Sequence, residues 1–397
     1  MTFMGYKREK RRAGIRNYVA VLPTIECANE PAFNLASEMP EVVALRHNFS
    51  CGYMGEDKVL ARKSLIALGS SPNVYGVVVF GVSCEPFSAD ELANEINLAG
   101  GNAYAVSITD DTTYEEALDK AREILKRLLQ EASQQKRVPC DISELTVAVR
   151  CGGSGAVSAI SSNLATGTAV DMLIDEGATV LFSETPELIG CPERVANRAV
   201  SAEIAEKLYA AVKRATDKIT AAGVDILGSE PGYGNIKQGL TTIEEKSLGA
   251  IIKSGTRPLI DVLRYGEKCE SGPGLYFVDA PTHSSVLFVG MICAGAQLQV
   301  FSFGGGFPAR SRNLDNFPSN LKIYPVVKIM GSIDDDVAKP YFDVYAGSML
   351  RGELSAAQAG RILHDKILSV ASGEATFIES NIKYSEMIQM YSNGLNV

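Results

Sequence analysis

The 397-residue chain carries 47 acidic against 38 basic side chains, a formal net charge of −9 and a sequence pI of about 5.1. That balance excludes the accumulated basic field that nucleic acid or an anionic membrane surface requires, while local arginines leave a small anionic substrate open. The length allows two or three domains, each with a proper core. The basic run Lys7 to Arg12 followed by Tyr18 to Pro23 imitates a signal peptide, but its apolar stretch is too short and stops at a proline. The longest apolar region, Val286 to Phe301, is cut by Gly290, Gly295, Gln297 and Gln299 and reads as a buried core segment, not a membrane span. Eight cysteines without a close pairing pattern fit a reducing compartment, so an intracellular, cytoplasmic protein is expected.

In chain order, strand-like runs at Tyr18 to Leu22, Val42 to Leu45, Val74 to Phe80 and Ala103 to Val106 alternate with helix-like runs at Pro31 to Ser37, Lys58 to Leu68, Ala89 to Leu98 and Tyr114 to Glu131. Such alternation predicts a doubly wound parallel sheet, a Rossmann-like α/β domain over residues 1–135. A polar stretch follows, giving a linker at 136–142, and then a second α/β domain over 143–397. Its pattern begins with the strand Leu145 to Val149, a helix through Val170 to Asp175, the strand Thr179 to Phe182 and a long helix from about Val195 to Ala222. From Gly228 the chain is rich in Gly and Pro with little clean periodicity, which predicts irregular structure until a last helix near Ala356 to Ala371. No fixed-period repeat and no low-complexity tract occurs.

Cys51, Cys84 and Cys151 each follow a short apolar run, so all three thiols are expected at the C-terminal ends of buried parallel strands. That edge is where open α/β sheets bind ligands, and three converging thiolates there suggest a metal site. The alternative is three small residues at the edge of the core, because free Cys is among the most buried residue types. The loop Cys151-Gly-Gly-Ser-Gly155 can turn backbone N–H groups toward an anion or can be a plain tight connection. Walker-A, G-x-G-x-x-G, Cys-x-x-Cys and G-x-S-x-G patterns are all absent.

Ordered strings through nearly the whole chain resemble one family. They run from Gly5-Tyr6-Lys7-Arg8 and Gly14-Ile15-Arg16-Asn17 through Leu22-Pro23-Thr24, His47, Cys51-Gly52, Ser71-Pro72-Asn73-Val74 and Cys84-Glu85 to Cys151-Gly-Gly-Ser154 and Ser183-Glu184-Thr185-Pro186-Glu187. Beyond these come Pro231-Gly232, Gly234-Asn235, Gly239-Leu-Thr-Thr242, Glu245-Lys246-Ser247-Leu248-Gly249, Asp279 to His283, Asp343, Ala346-Gly347 and Ala371-Ser-Gly-Glu374. The family is that of the altronate and galactarate dehydratases, in its large catalytic portion. The resemblance implies a lyase that removes water from a sugar acid or related 2-hydroxy acid to give a 2-keto acid. A sulfolactate sulfo-lyase belongs to the same group, so sulfite is the alternative leaving group. It also implies a divalent metal, typically iron, an oligomer, and a small SAF domain. This chain begins at Gly5-Tyr6 without room for that domain, so a small partner subunit is expected.

Such an elimination needs a cation to stabilise the enediolate, a base for the α-proton and an acid for the leaving group. Thiolates at Cys51, Cys84 and Cys151 favour iron, as a lone Fe2+ or an iron–sulfur cluster, over oxygen-seeking Mg2+ or Ca2+. Glu85, Glu184 or His47 can complete a mononuclear site. Of the three histidines, His283 in its matched loop is the first choice of base, with His47 and Lys246 as alternatives and His364 structural. Arg8 and Arg16 are nominated for the substrate carboxylate, and Ser154, Asn235, Thr241 and Thr242 for its other oxygens, the threonines being equally suited to capping local turns.

Five positions depart from the pattern the family presents. Gly155 stands in place of an Asp, Gly304-Gly-Gly306 in place of Gly-Arg-Gly, Lys10 and Arg11 in place of an acidic residue and a glycine, and Ser50 in place of a glycine. Losing polar site groups in this way points to a different acid from altronate, to a sulfonate, or to a non-catalytic, anion-binding member.

Overall fold

The run Tyr18–Pro23, β2, is buried from its second residue on and forms the heart of a parallel sheet. The computed structural model describes residues 1–305, 321–333, 341–381 and 387–393; Gly306 lies outside the described residues. Ahead of β2 comes β1 (Thr2–Gly5), and behind it β3 (Val42–Ala44), β4 (Val74–Gly81) and β5 (Ala103–Ser107). The four strands β2 to β5 lie in the order β3-β2-β4-β5, all parallel. The crossovers are α1 (Asn29–Glu38), α2 (Gly55–Gly69), α3 (Ala89–Leu98) and α4 (Tyr114–Gln134). Ser88 with Glu91 and Thr113 with Glu116 start α3 and α4 as reciprocal capping boxes. The chain leaves β2 toward β3 and then returns past it to β4, which puts a topological switch point at the C-terminal ends of these strands.

The stretch expected as a linker contains β6 (Val138–Asp141), which pairs antiparallel with β1. Phe3, Ala13 and Ile15 accordingly share an apolar core with Val147 and Leu173 of the following segment. That segment builds a seven-stranded parallel sheet from β7 (Thr146–Gly152), β8 (Thr179–Phe182), β9 (Leu259–Arg264), β10 (Gly274–Asp279), β11 (Leu298–Phe303), β12 (Val326–Met330) and β13 (Val344–Tyr345). The order is β13-β12-β11-β7-β8-β10-β9, so the winding reverses between β7 and β11. From β7, α5 (Ser162–Asp175) crosses to β8.

Two expectations are corrected. The region after Gly228 is not irregular, for it supplies five of the seven strands. Strands covered on both faces, such as β11 with every residue buried, carry no alternation for a period to reveal. The long helix from about Val195 breaks into Glu193–Ala196 and Ala202–Ala221, the second restarted by a Ser201 cap. The helix expected last spans Ala356–Ala371, opened by the Ser355 and Gln358 capping box, and a short helix, Phe377–Asn381, follows it. Val286 to Phe301 is the end of a buried helix, Ser284–Cys293, a turn at Gly295 and β11. Among the described residues no helix is long and apolar enough to cross a membrane.

The two sheets share one core in which Ala20 and Leu22 meet Ala148, Leu181 and Tyr276, with α2, α3 and Ser284–Cys293 contributing Leu65, Leu92 and Leu287. The segment at 387–393 runs along the end of β3: Ile388 N–H donates to Arg46 O at 2.7 Å, and Asn393 N–H to Asp57 Oδ1 at 2.8 Å. Glu56, on the first turn of α2, pairs with Arg264 at the end of β9 at 3.3 Å, which brings the C-terminal edge of each sheet to the same side.

Candidate active site

Cys151 is buried near the end of β7 and its N–H donates to Glu184 Oε2 at 2.8 Å. Glu184 follows β8 in a left-handed conformation, φ 76° and ψ 64°, which is strained for a side chain with a Cβ and persists only where its surroundings hold it. One turn on, Glu187 Oε2 accepts from Lys253 Nζ at 2.7 Å, and the same ammonium lies 3.3 Å from Glu184 Oε2. Arg150 Nη2 stands 3.6 Å from Glu184 Oε1 while its guanidinium lies over the Phe301 ring at 4.3 Å. Arg150 Nη1 is buried and has no hydrogen-bond partner among the described residues. Asn163, tied to Ser302 at 2.7 Å, sets its amide 3.5 Å from Cys151 Sγ.

Above this buried floor lies a half-exposed rim. Asn235 Nδ2 donates to Ser154 O at 2.9 Å, and Lys246 Nζ pairs with Glu230 and stands 3.4 Å from Asn235 Oδ1. Thr185, next to Glu184, donates from its N–H to Ala280 O at 3.0 Å and from Oγ1 to Asp279 at 2.7 Å, which fastens the loop carrying His283 to this turn. His283 is exposed at the start of Ser284–Cys293 and makes no side-chain capping bond.

Burial and the two carboxylates set the protonation pattern. Desolvation pushes the Cys151 thiol up to about 12, so it is protonated at neutral pH. Burial, with Glu187 adding repulsion, pushes Glu184 up to about 7. Burial also opposes ionisation of Glu187, but the Lys253 ammonium overrides it and holds that carboxyl below the ordinary range. Burial pulls the Lys253 pKa down, but the Glu187 and Glu184 carboxyls beside it outweigh that and hold it well above the ordinary range.

A carboxyl whose folded-state pKa is raised binds a proton on folding, so the stability it contributes is whole below its ordinary 4.5 and is lost as the pH climbs to about 7. The native chain is therefore expected to lose thermal midpoint between pH 4.5 and 7, and Glu184→Gln to flatten that fall. An unchanged slope would remove Glu184 as its source.

The structure gathers Cys151, Glu184, Ser154, Asn235 and Lys246 of the residues singled out from sequence, and it separates others from them. Cys51 and Cys84 are exposed at the four-stranded sheet and are not grouped with Cys151, because the three preceding strands belong to two different sheets. Glu85 folds back to accept from Val82 N–H at 3.1 Å. His47 is fully buried, with Nε2 2.8 Å from Pro23 O and Nδ1 accepting from Phe49 N–H at 3.2 Å; burial takes its pKa down to about 4, and both ring nitrogens are engaged. Arg8 donates to Pro72 O, Arg16 O and Asn17 Oδ1, and Arg16 forms a two-pronged pair with Glu379, so both guanidiniums are consumed internally. Thr241 bonds Glu245, and Thr242 caps Ile243–Ile251 by accepting from Glu245 N–H at 3.2 Å. Gly155 sits where a Cβ would come within 2.7 Å of Gln238 Cβ, so a side chain here would require Gln238 to shift.

Sequence reasoning missed Arg150, Asn163, Glu187, Glu230 and Lys253. It also passed over Cys27, although Cys27 follows the run Tyr18–Pro23 just as the other cysteines follow theirs.

Cys151, Glu184 and Glu187 have ligand atoms all within 4.8 Å of one another, a group able to hold a metal ion. Lys253 already fills the cation position between the two carboxylates, so a divalent ion there would have to displace a buried ammonium.

Fold and site thus define a parallel α/β protein with a buried acid–cation cluster beneath a polar rim at its strand ends. Residues 142–394 match the D-galactarate/altronate dehydratase C-terminal family, and residues 5–133 match the second domain of D-galactarate dehydratase/altronate hydrolase. The chain belongs to the altronate/galactarate dehydratase family. It is similar to the (2R)-sulfolactate sulfo-lyase subunit beta of Chromohalobacter salexigens, 34% identical over 384 residues, covering 96% of this chain and 95% of that one. It is also similar to the altronate dehydratase of Bacillus subtilis, 28% identical over 392 residues, covering 96% of this chain and 76% of that one. With the galactarate dehydratase (L-threo-forming) of Escherichia coli it shares 30% identity over 326 residues, 80% of this chain and 60% of that one.

Proposed function

We propose that this protein is a lyase that removes water from a sugar acid or related 2-hydroxy acid, giving a 2-keto acid, in the cytoplasm and with iron as its metal. The observation that carries this is the rim of Ser154, Asn235 and Lys246 over the buried cluster at the strand ends, in a chain of this family. Bound iron supplies a Lewis acid for the leaving oxygen and the enediolate. The Lys246 ammonium, paired with Glu230, faces the substrate carboxylate and offsets the charge that grows as the α-proton leaves. Asn235 orients the hydroxyl chain, and Arg150 Nη1 is a donor available for a substrate oxygen. His283 takes the α-proton, because its ring is exposed and unengaged while His47 has both nitrogens committed. His283→Asn is expected to lower kcat about 10²- to 10⁴-fold with little change in KM. A variant with undiminished kcat would remove His283 from the proton step.

A second function, elimination of sulfite from a sulfonated hydroxy acid, is favoured by the coverage of the sulfo-lyase relative, which spans 95% of its own length against 76% for the altronate dehydratase. That relative is a beta subunit, which supports a small partner subunit carrying the SAF domain. Anaerobically purified protein, loaded with Fe2+, is assayed for 2-keto acid and for sulfite with altronate, galactarate and sulfolactate. Keto acid from the sugar acids supports the first function and sulfite from sulfolactate the second. No product from any of them, with the small subunit present, would sink both.

A further inference from the structure

Five of the eight cysteines are buried; Cys27, Cys51 and Cys84 alone are exposed. An exposed thiol is unusual, since free cysteine is ordinarily among the most buried side chains. These three follow three neighbouring strands, Cys51 after β3, Cys27 after β2 and Cys84 after β4, at the switch point of the four-stranded sheet.

Their loops are held side by side by hydrogen bonds. Glu26 N–H donates to Phe49 O at 2.8 Å and Thr24 N–H to Phe80 O at 2.9 Å. The buried His47 ring joins Pro23 O to Phe49 N–H, and the Asn29 side chain brackets the His47 backbone at 2.8 and 3.0 Å. Ser83 takes a left-handed φ of 62°, with Oγ donating to Ile108 O at 2.6 Å, and so turns the chain at Cys84. Cys27 lies within electrostatic reach of both Cys51 and Cys84.

We infer that Cys27, Cys51 and Cys84 together bind iron as three thiolate ligands, and that Cys151 is not one of them. Soft thiolates select iron over the oxygen-seeking cations, and three protein ligands leave one coordination position for a substrate oxygen. Thiols that sit on three separate loops and outside the compass of a single ion suit a cluster, whose ligands bind different iron atoms. Cys151, by contrast, is a buried thiol beside an ammonium. The catalytic role of this iron rests on the lyase function proposed above; its ligand set does not.

The test is iron and acid-labile sulfide content, with the visible absorbance spectrum, on full-length protein reconstituted anaerobically with Fe2+ and sulfide. Cys27→Ser, Cys51→Ser, Cys84→Ser and Cys151→Ser are compared, and circular dichroism confirms that each is folded. Expected is iron with acid-labile sulfide in the native chain and in Cys151→Ser, and at least a tenfold loss of both in each of the other three; iron without sulfide would overturn the cluster. Iron kept by Cys27→Ser, iron lost only from Cys151→Ser, or no iron in the native chain would overturn the assignment. Iron held at these thiols without turnover of any hydroxy acid would leave the site standing and sink the lyase function.

Discussion

Lys253→Met is expected to destabilise the protein by about 3–5 kcal/mol, because it removes the one ammonium that lies between two buried carboxylates. Methionine matches the lysine stem in length, so the loss is of charge and not of packing. What remains is Glu187 buried without its partner, with Glu184 and Arg150 beside it. Adding Glu187→Gln to Lys253→Met removes the stranded charge and should recover part of the loss, giving a favourable coupling between the two sites. Urea midpoints of the native chain, both single variants and the double variant measure this directly. A loss below about 1 kcal/mol for Lys253→Met would mean that the pair behaves like an exposed one.

Arg16→Ala is expected to cost a similar amount, about 3–5 kcal/mol, while leaving the KM of the folded enzyme unchanged. Arg16 Nε and Nη2 meet the two oxygens of Glu379 at 2.7 and 2.8 Å, and the remaining N–H groups reach the carbonyls of Ile15, Val370 and Glu374. Tyr18 adds a hydroxyl donor to the same carboxylate at 3.1 Å. Lysine cannot reproduce this fork, so Arg16→Lys should recover little. A raised KM with an unchanged unfolding midpoint would instead return Arg16 to the substrate.

Arg16 shows where sequence reasoning stops. A guanidinium in a matched string reads equally as a ligand for a carboxylate of the substrate or of the protein, and the deciding partner is 363 residues away. The four-stranded sheet was legible because short apolar runs alternate with amphipathic helices whose starts are marked by Ser88 with Glu91 and Thr113 with Glu116. Strands β9 to β13 were not, since most are covered on both faces and so show no alternation. At the site, Cys151 was found from its place after an apolar run and Glu184 from its matched string. Lys253 has no local mark, because its burial is set by Glu187, 66 positions away. The expected grouping of Cys51 and Cys84 with Cys151 crosses two sheets, whereas Cys27 lies within electrostatic reach of the first two.

The long reach from Arg16 to Glu379 also sets an order of assembly during synthesis. At ribosomal rates of about 5–20 residues per second, the 363 intervening positions take roughly 20–70 s to appear. The four-stranded sheet can close early, for its last strand ends at Ser107. Strand β1 must wait for Val138–Asp141, and the Arg16 guanidinium stays in water until the chain is nearly finished. A ribosome halted between Asp141 and Glu379 would thus hold a formed four-stranded sheet with β1 able to pair and Arg16 still without its carboxylate.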